Sequence, residues 1–149
     1  MSVQARNELA NLLNFSDATQ KPDILDPSKT NTFLIQMLLD VAHRCPRPIL
    51  ITALRTDHPT FDGGPGTHGH TQGFAFDGWT ATGGDPGVAD LIRALAASPY
   101  VWTVGAGGAA KNFLSGITFP SDGKFIFFLD NNQHHVHAQA GNVNGQGLR

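Results

Sequence analysis

The sequence predicts an α+β domain: a small antiparallel sheet with N-terminal helices packed on one face and a metal site on the other. Three observations lead there. Apolar residues recur at helical spacing near the N-terminus, short β-branched and aromatic runs dominate from Ile49 onward, and five of the seven histidines fall in two tight clusters. At 149 residues the chain has the length of one domain and can bury a real core. The expected division is a helix and linker over 1–30, a core over 31–138 and a tail over 139–149.

Ser2 to Asn14 reads as a helix, with Ser2 as N-cap and Leu9, Leu12 and Leu13 on one side. Phe15 to Lys29, broken by Pro22 and Pro27, reads as a connecting loop. Asn31 to Arg44 reads as a second helix with an apolar stripe of Phe33, Leu34, Met37, Leu38 and Val41, stopped by Pro46 and Pro48. Ile49 to Leu54 is a buried strand. Thr56 to Gly69 is a long loop, with Gly63-Gly64-Pro65-Gly66 as a rim.

Thr71 to Trp79 is expected to be a second strand. Asp85-Pro86 starts a helix that ends before Pro99. Tyr100 to Val104 is a third strand. Gly105 to Ser115 has no clear preference, and Gly105-Ala-Gly-Gly lacks the Lys-Ser/Thr of a phosphate loop. Ile117–Phe119 and Lys124–Leu129 flank a Pro-Ser-Asp-Gly turn and read as a hairpin. His134 to Ala138 reads as the last strand, and the chain from Gly141 as a frayed end.

Composition narrows the function. Charged residues are 15% of the chain and the net charge is −2, so no basic face is available for nucleic acid. No apolar run approaches the ~18–20 residues of a membrane span. The first fourteen residues lack the apolar stretch of a signal peptide, so synthesis in the cytoplasm is expected. The single cysteine, Cys45, excludes an internal disulfide and reads as a small buried hydrophobe. The single glutamate, Glu8, lies far from the histidines, so any catalytic or metal-binding carboxylate must come from aspartate.

The histidine clusters carry the chemistry. In His70-Thr-Gln-Gly-Phe-Ala-Phe-Asp77, strand alternation puts Phe74 and Phe76 on one face and Ala75 and Asp77 on the other. An aspartate set among Phe76, Gly78 and Trp79 is expensive to bury unless paired or bound to a metal. His135 and His137 share one face of the last strand, and His134 and Val136 the other. Two histidines and one aspartate suit zinc with one coordination position left for water. Such a set also fits non-haem iron, whose usual His-x-Asp/Glu spacing differs from the seven-residue step here. His43 and His58 read as surface groups, His68 as exposed or as support for a ligand, and Trp79 and Trp102 as core.

His70-x-x-Gly73-x-Ala75-x-Asp77 resembles the first zinc motif of the zinc D-Ala-D-Ala carboxypeptidase and L-alanyl-D-glutamate endopeptidase family, which shares its metal site with the Hedgehog signalling domain. His135-Val136-His137 resembles the family's closing His-x-His. Ile51-Thr52-Ala53-Leu54-Arg55-Thr56 loosely matches its Ser-Gly-Tyr-Arg-Ser/Thr strand end. The resemblance spans roughly residues 31–138. It implies Zn²⁺ held by His70, Asp77 and His137, with Arg55 binding a substrate carboxylate or the oxyanion. Many members place Glu or Asp where this chain has His134. His135 is therefore the preferred general base, with His134 and Asp130 as the other candidates.

The resemblance implies a zinc metallopeptidase acting on short peptidoglycan peptides at a bond involving a D-amino acid. It would reach the cell wall after release from the cell or as part of a phage particle. The alternative is a catalytically inactive, metal-stabilised structural or binding protein on the same scaffold, such as a viral particle component.

Overall fold

The amphipathic stretches predicted as helices bury most of the stripes that defined them, although Leu12 of the first stays exposed and Phe33 of the second is half-buried. In the computed structural model, which describes residues 2–57, 70–119, 126–130 (backbone) and 134–141, α1 spans Val3–Leu12 and α3 spans Thr32–Arg44. The first starts at the expected cap, Ser2, whose Oγ accepts from the Ala5 N–H, and the second is capped by Asn31, whose Oδ1 accepts from the Phe33 N–H. Leu34, Ile35, Met37, Leu38 and Val41 of α3 are buried. A later helix, α4 (Val88–Ala97), is entered through a 3-10 turn at Asp85–Gly87 and buries Val88, Leu91, Ile92 and Leu95.

Six strands form one sheet among the described residues: β1 (Asn14–Phe15), β2 (Ile49–Ala53), β3 (Ala75–Thr80), β4 (Val101–Gly107), β5 (Ile126–Asp130) and β6 (His135–Ala140). Their spatial order is β1-β2-β3-β6-β4-β5. The architecture is α+β, as expected, but the sheet is mixed rather than purely antiparallel. The β2–β3, β3–β6 and β6–β4 pairs are antiparallel, while β1–β2 and β4–β5 at the two edges are parallel.

Three expectations need correction. Residues 15–29 are more than a loop. Phe15 belongs to edge strand β1, and a short helix, α2 (Gln20–Leu25), follows. Pro22 sits in the first turn of α2, where its missing N–H costs nothing. Second, of the expected Lys124–Leu129 strand the described part, from Ile126, does not pair with Ile117–Phe119 as a hairpin. Strand β5 pairs in parallel with β4, and residues 117–119 are not strand. The stretch 108–125 is long enough for a parallel return, which needs a dozen or more residues. Third, β4 continues through the glycines to Gly107, and β6 runs on through Gln139 to Ala140.

Helices α3 and α4 cover one face of the sheet, and the core forms there from Phe76, Val104, Val136 and Ala138 with the helical stripes. The buried Arg6 guanidinium ties α1 to α2 and to the chain beyond it, donating to Ile24 O (2.8 Å), Thr30 Oγ1 (2.7 Å) and Thr30 O (2.8 Å). The other face of the central strands carries Asp77, His135 and His137. None of the described helices is long and apolar enough to cross a membrane.

Candidate metal centre

His70 is not part of a strand. It begins a 3-10 turn, His70–Gln72, and Gly73 then reverses the chain into β3. Gly73 has φ +74°, a conformation only glycine adopts cheaply, and an added Cβ would lie 2.6 Å from Lys29 O. The Asn31 N–H donates to Gly73 O at 2.8 Å and clamps the turn against the start of α3. The turn thereby lays the His70 imidazole over the residue seven positions later, Asp77.

Asp77 and His137 are paired in the β3–β6 register, so their side chains rise side by side from one face. His137 Nδ1 lies 2.7 Å from Asp77 Oδ1, and His70 Nε2 lies 3.2 Å from the same oxygen. The two imidazole rings meet edge to face, 5.0 Å between centroids. One ligand atom from each of the three residues falls within 4.8 Å of the others. All three are buried, at 0% exposure for His70, 4% for Asp77 and 1% for His137.

This donor set is compatible with a metal ion. Bonds of about 2.0–2.1 Å in a tetrahedron put neighbouring ligand atoms roughly 3.3 Å apart, and the His70–Asp77 separation of 3.2 Å already has that value. Register with β4 adds room. Gly105 lies opposite His137, and Gly107 opposite His135, so no side chain rises from β4 beside either imidazole. The glycines that made residues 105–107 hard to assign are what clear this floor.

Burial pushes the His137 pKa below the usual imidazole value. Its hydrogen bond and charge interaction with Asp77 oppose the shift, while His70 and His135 add to it. The ring is thus held neutral, the form that binds a metal. A pH dependence follows. Below about 6.5 the unfolded chain takes up a proton at His137 that the folded chain resists, so the metal-free protein loses stability as pH falls. Melting in chelator should give a lower Tm at pH 5.5 than at pH 7.5, with His137 contributing at most about 1.4 kcal/mol per pH unit. An unchanged Tm would show that His137 is not buried in its neutral form.

The other predicted residues are distributed as follows. His135, half-exposed, starts β6 on the same face as His137. His134 is exposed and turned to the chain after β4, its Nδ1 accepting from the Ala109 N–H at 2.8 Å. Asp130 ends β5 opposite Gly107, two strands across from His135. His58, His68 and Gly63–Gly66 lie outside the described residues.

Arg55 is half-exposed in the turn after β2, with Nη1 donating to Ser28 O at 2.7 Å. Two carboxylates that sequence reading passed over hold that turn. Asp23 accepts from the Thr56 N–H (2.8 Å) and hydroxyl (2.5 Å), and Asp57 from the Leu54 N–H (2.6 Å) and Gln20 Nε2 (2.8 Å). The acceptor pattern of Asp and Gln around a strand end was the only local signal, and residues 15–29 looked like linker.

No family model matches the chain, and no curated protein matches it closely enough to count as a relative.

Proposed function

We propose that this chain is a zinc-dependent peptidase cleaving short peptides of the bacterial cell wall at a bond involving a D-amino acid. The observation that carries the reading is the buried His70–Asp77–His137 group. Its residues are those that the resemblance to the D-Ala-D-Ala carboxypeptidase and L-alanyl-D-glutamate endopeptidase family marks as ligands. Nitrogen and carboxylate donors with a coordination position to spare suit zinc, which when bound there would lower the pKa of a water toward ~7 and polarise a carbonyl.

The chain's own residues do the rest. His135, at the rim beside His137, takes the proton from the attacking water and returns it to the leaving amine. Arg55 offers the remaining donors of its fork to a substrate carboxylate or to the developing oxyanion. The hydrogen bond to Ser28 O and the two carboxylates around the turn hold it in place. One observation favours the alternative of an inactive, metal-stabilised structural or binding protein. Position 134, acidic in many members of that family, is here a histidine bonded to the Ala109 N–H.

The test is hydrolysis of D-Ala-D-Ala and L-Ala-D-Glu peptides by zinc-loaded protein, read by released amine. The wild type should turn over one of them. His135→Ala should keep its zinc and lose about 10²–10⁴-fold in rate, as removal of a general base does, whereas His134→Ala should stay within a few-fold. No turnover by zinc-loaded wild type would sink the peptidase reading and leave the binding protein.

A further inference from the structure

Trp79 follows Asp77 by two residues on β3, so both leave the same face of the sheet, about 7 Å apart along the strand. Trp79 is paired with Leu50 of β2, and Leu50 and Thr52 are the partly exposed residues that alternate with buried Ile49, Ile51 and Ala53. Asp85 stands at the start of the 3-10 turn before α4, and His134 just before β6. These residues, Leu50, Thr52, Trp79, Asp85 and His134, line a groove of about 310 Å³. Trp79 and its cross-strand partner Leu50 place it on the face of the sheet that carries Asp77. Trp79, expected in the core, also forms a wall of this groove.

We propose that this groove is a subsite for an ammonium group of the substrate, an inference that rests on the peptidase reading above. Among the described lining residues the one formal charge is the exposed Asp85 carboxylate. His134 turns its Nδ1 to the Ala109 N–H and accepts from it, so that nitrogen presents no donor to the groove. A carboxylate beside an indole selects a cation, through charge-assisted hydrogen bonding on one side and the ring face on the other. The volume, at the small end of ligand sites, takes one amino-acid residue rather than a length of glycan. A peptide whose reacting carbonyl lies over Asp77 and His137 would place the neighbouring residue here. The ammonium is either the peptide's N-terminus or the side-chain amine of a diamino acid.

The experiment is an NMR titration of the protein as purified, following the Trp79 indole N–H, assigned by its absence in Trp79→Phe. The probes are Lys-D-Ala-D-Ala, its Nα-acetyl form and its Nα,Nε-diacetyl form, with chitobiose as a carbohydrate control. The unmodified peptide should shift the Trp79 resonance saturably, and the diacetyl form should bind at least about tenfold more weakly. Retained binding of the Nα-acetyl form assigns the site to the side-chain amine, and its loss assigns it to the N-terminus. Asp85→Asn should weaken the unmodified peptide about tenfold and leave the diacetyl form unchanged.

Equal binding of the unmodified and diacetyl peptides, indifference to Asp85→Asn, or no movement of Trp79 overturns the subsite. So does a Trp79 shift with chitobiose alone, which would make the groove a sugar site. Peptide cleavage is read in the same spectra. Asp85-dependent binding without cleavage keeps the subsite and removes the peptidase, while cleavage indifferent to Asp85→Asn does the reverse.

Discussion

Asp77→Ala should abolish metal binding. Protein purified without added metal or chelator is expected to carry about one zinc per chain by elemental analysis, and the variant almost none. Asp77 Oδ1 is the atom both imidazoles approach, at 2.7 and 3.2 Å, so its loss removes the one carboxylate of the group and the atom that orients both rings. Changing a residue that only supports a metal ligand typically costs 10–100-fold in affinity. Losing a ligand outright should cost at least about 100-fold in competition with a chromophoric chelator. Asp77→Asn, which keeps the shape and hydrogen-bonding reach, controls for folding. It should be as well folded by circular dichroism yet still deficient in metal. If zinc persists in both variants, the ion binds elsewhere and the His70–Asp77–His137 group is a hydrogen-bonded cluster only.

Phe76→Ala should be the costliest single change in the sheet. Phe76 sits next to Asp77 in sequence but points to the opposite face, where it is fully buried in the core. Its ring lies over Gly78, where an added Cβ would stand 2.7 Å from Phe76 Cε2. That close approach means neighbours cannot easily collapse into the space left by truncation. Phenylalanine-to-alanine changes in such sites cost about 3–5 kcal/mol. For a chain of this size that lowers Tm by roughly 6–20 °C. Calorimetry in chelator would measure it free of any metal contribution. Because the ring faces away from the ligands, zinc stoichiometry should survive in the fraction that remains folded. A loss under 1 kcal/mol would mean that this face is not packed as described.

The strongly periodic parts of the chain were legible without coordinates. Helices α1, α3 and α4 and strands β2 and β6 reveal themselves through caps, prolines and alternation, because one face of each must be apolar. Part of the buried His70–Asp77–His137 group was legible because burying Asp77 among apolar neighbours needs a chemical reason and the His-x-His spacing puts two imidazoles on one face, whereas His70 was singled out by the resemblance alone. What escaped was set by partners distant in sequence. The two residues of β1 are strand only because β2 lies alongside them. The glycines of β4 have poor strand preference, and their place beside His135 and His137 supplies the reason for them. The partner of β5 depends on how residues 108–125 return, which local turn chemistry suggested wrongly.

The sheet order has a consequence for assembly. Strand β6 lies between β3 and β4, although it follows both along the chain. Until residues 135–140 have been synthesised, β3 and β4 each present an unpaired edge, the feature that invites association with other chains. His137 arrives with β6, sixty positions after Asp77, so the His70–Asp77–His137 group is complete only once the sheet has closed. An ion bound by that group would act as a latch across the central seam. It stabilises the closed sheet by mass action according to how far its free concentration exceeds its dissociation constant. Metal supply would thus govern how long a newly made chain stays open.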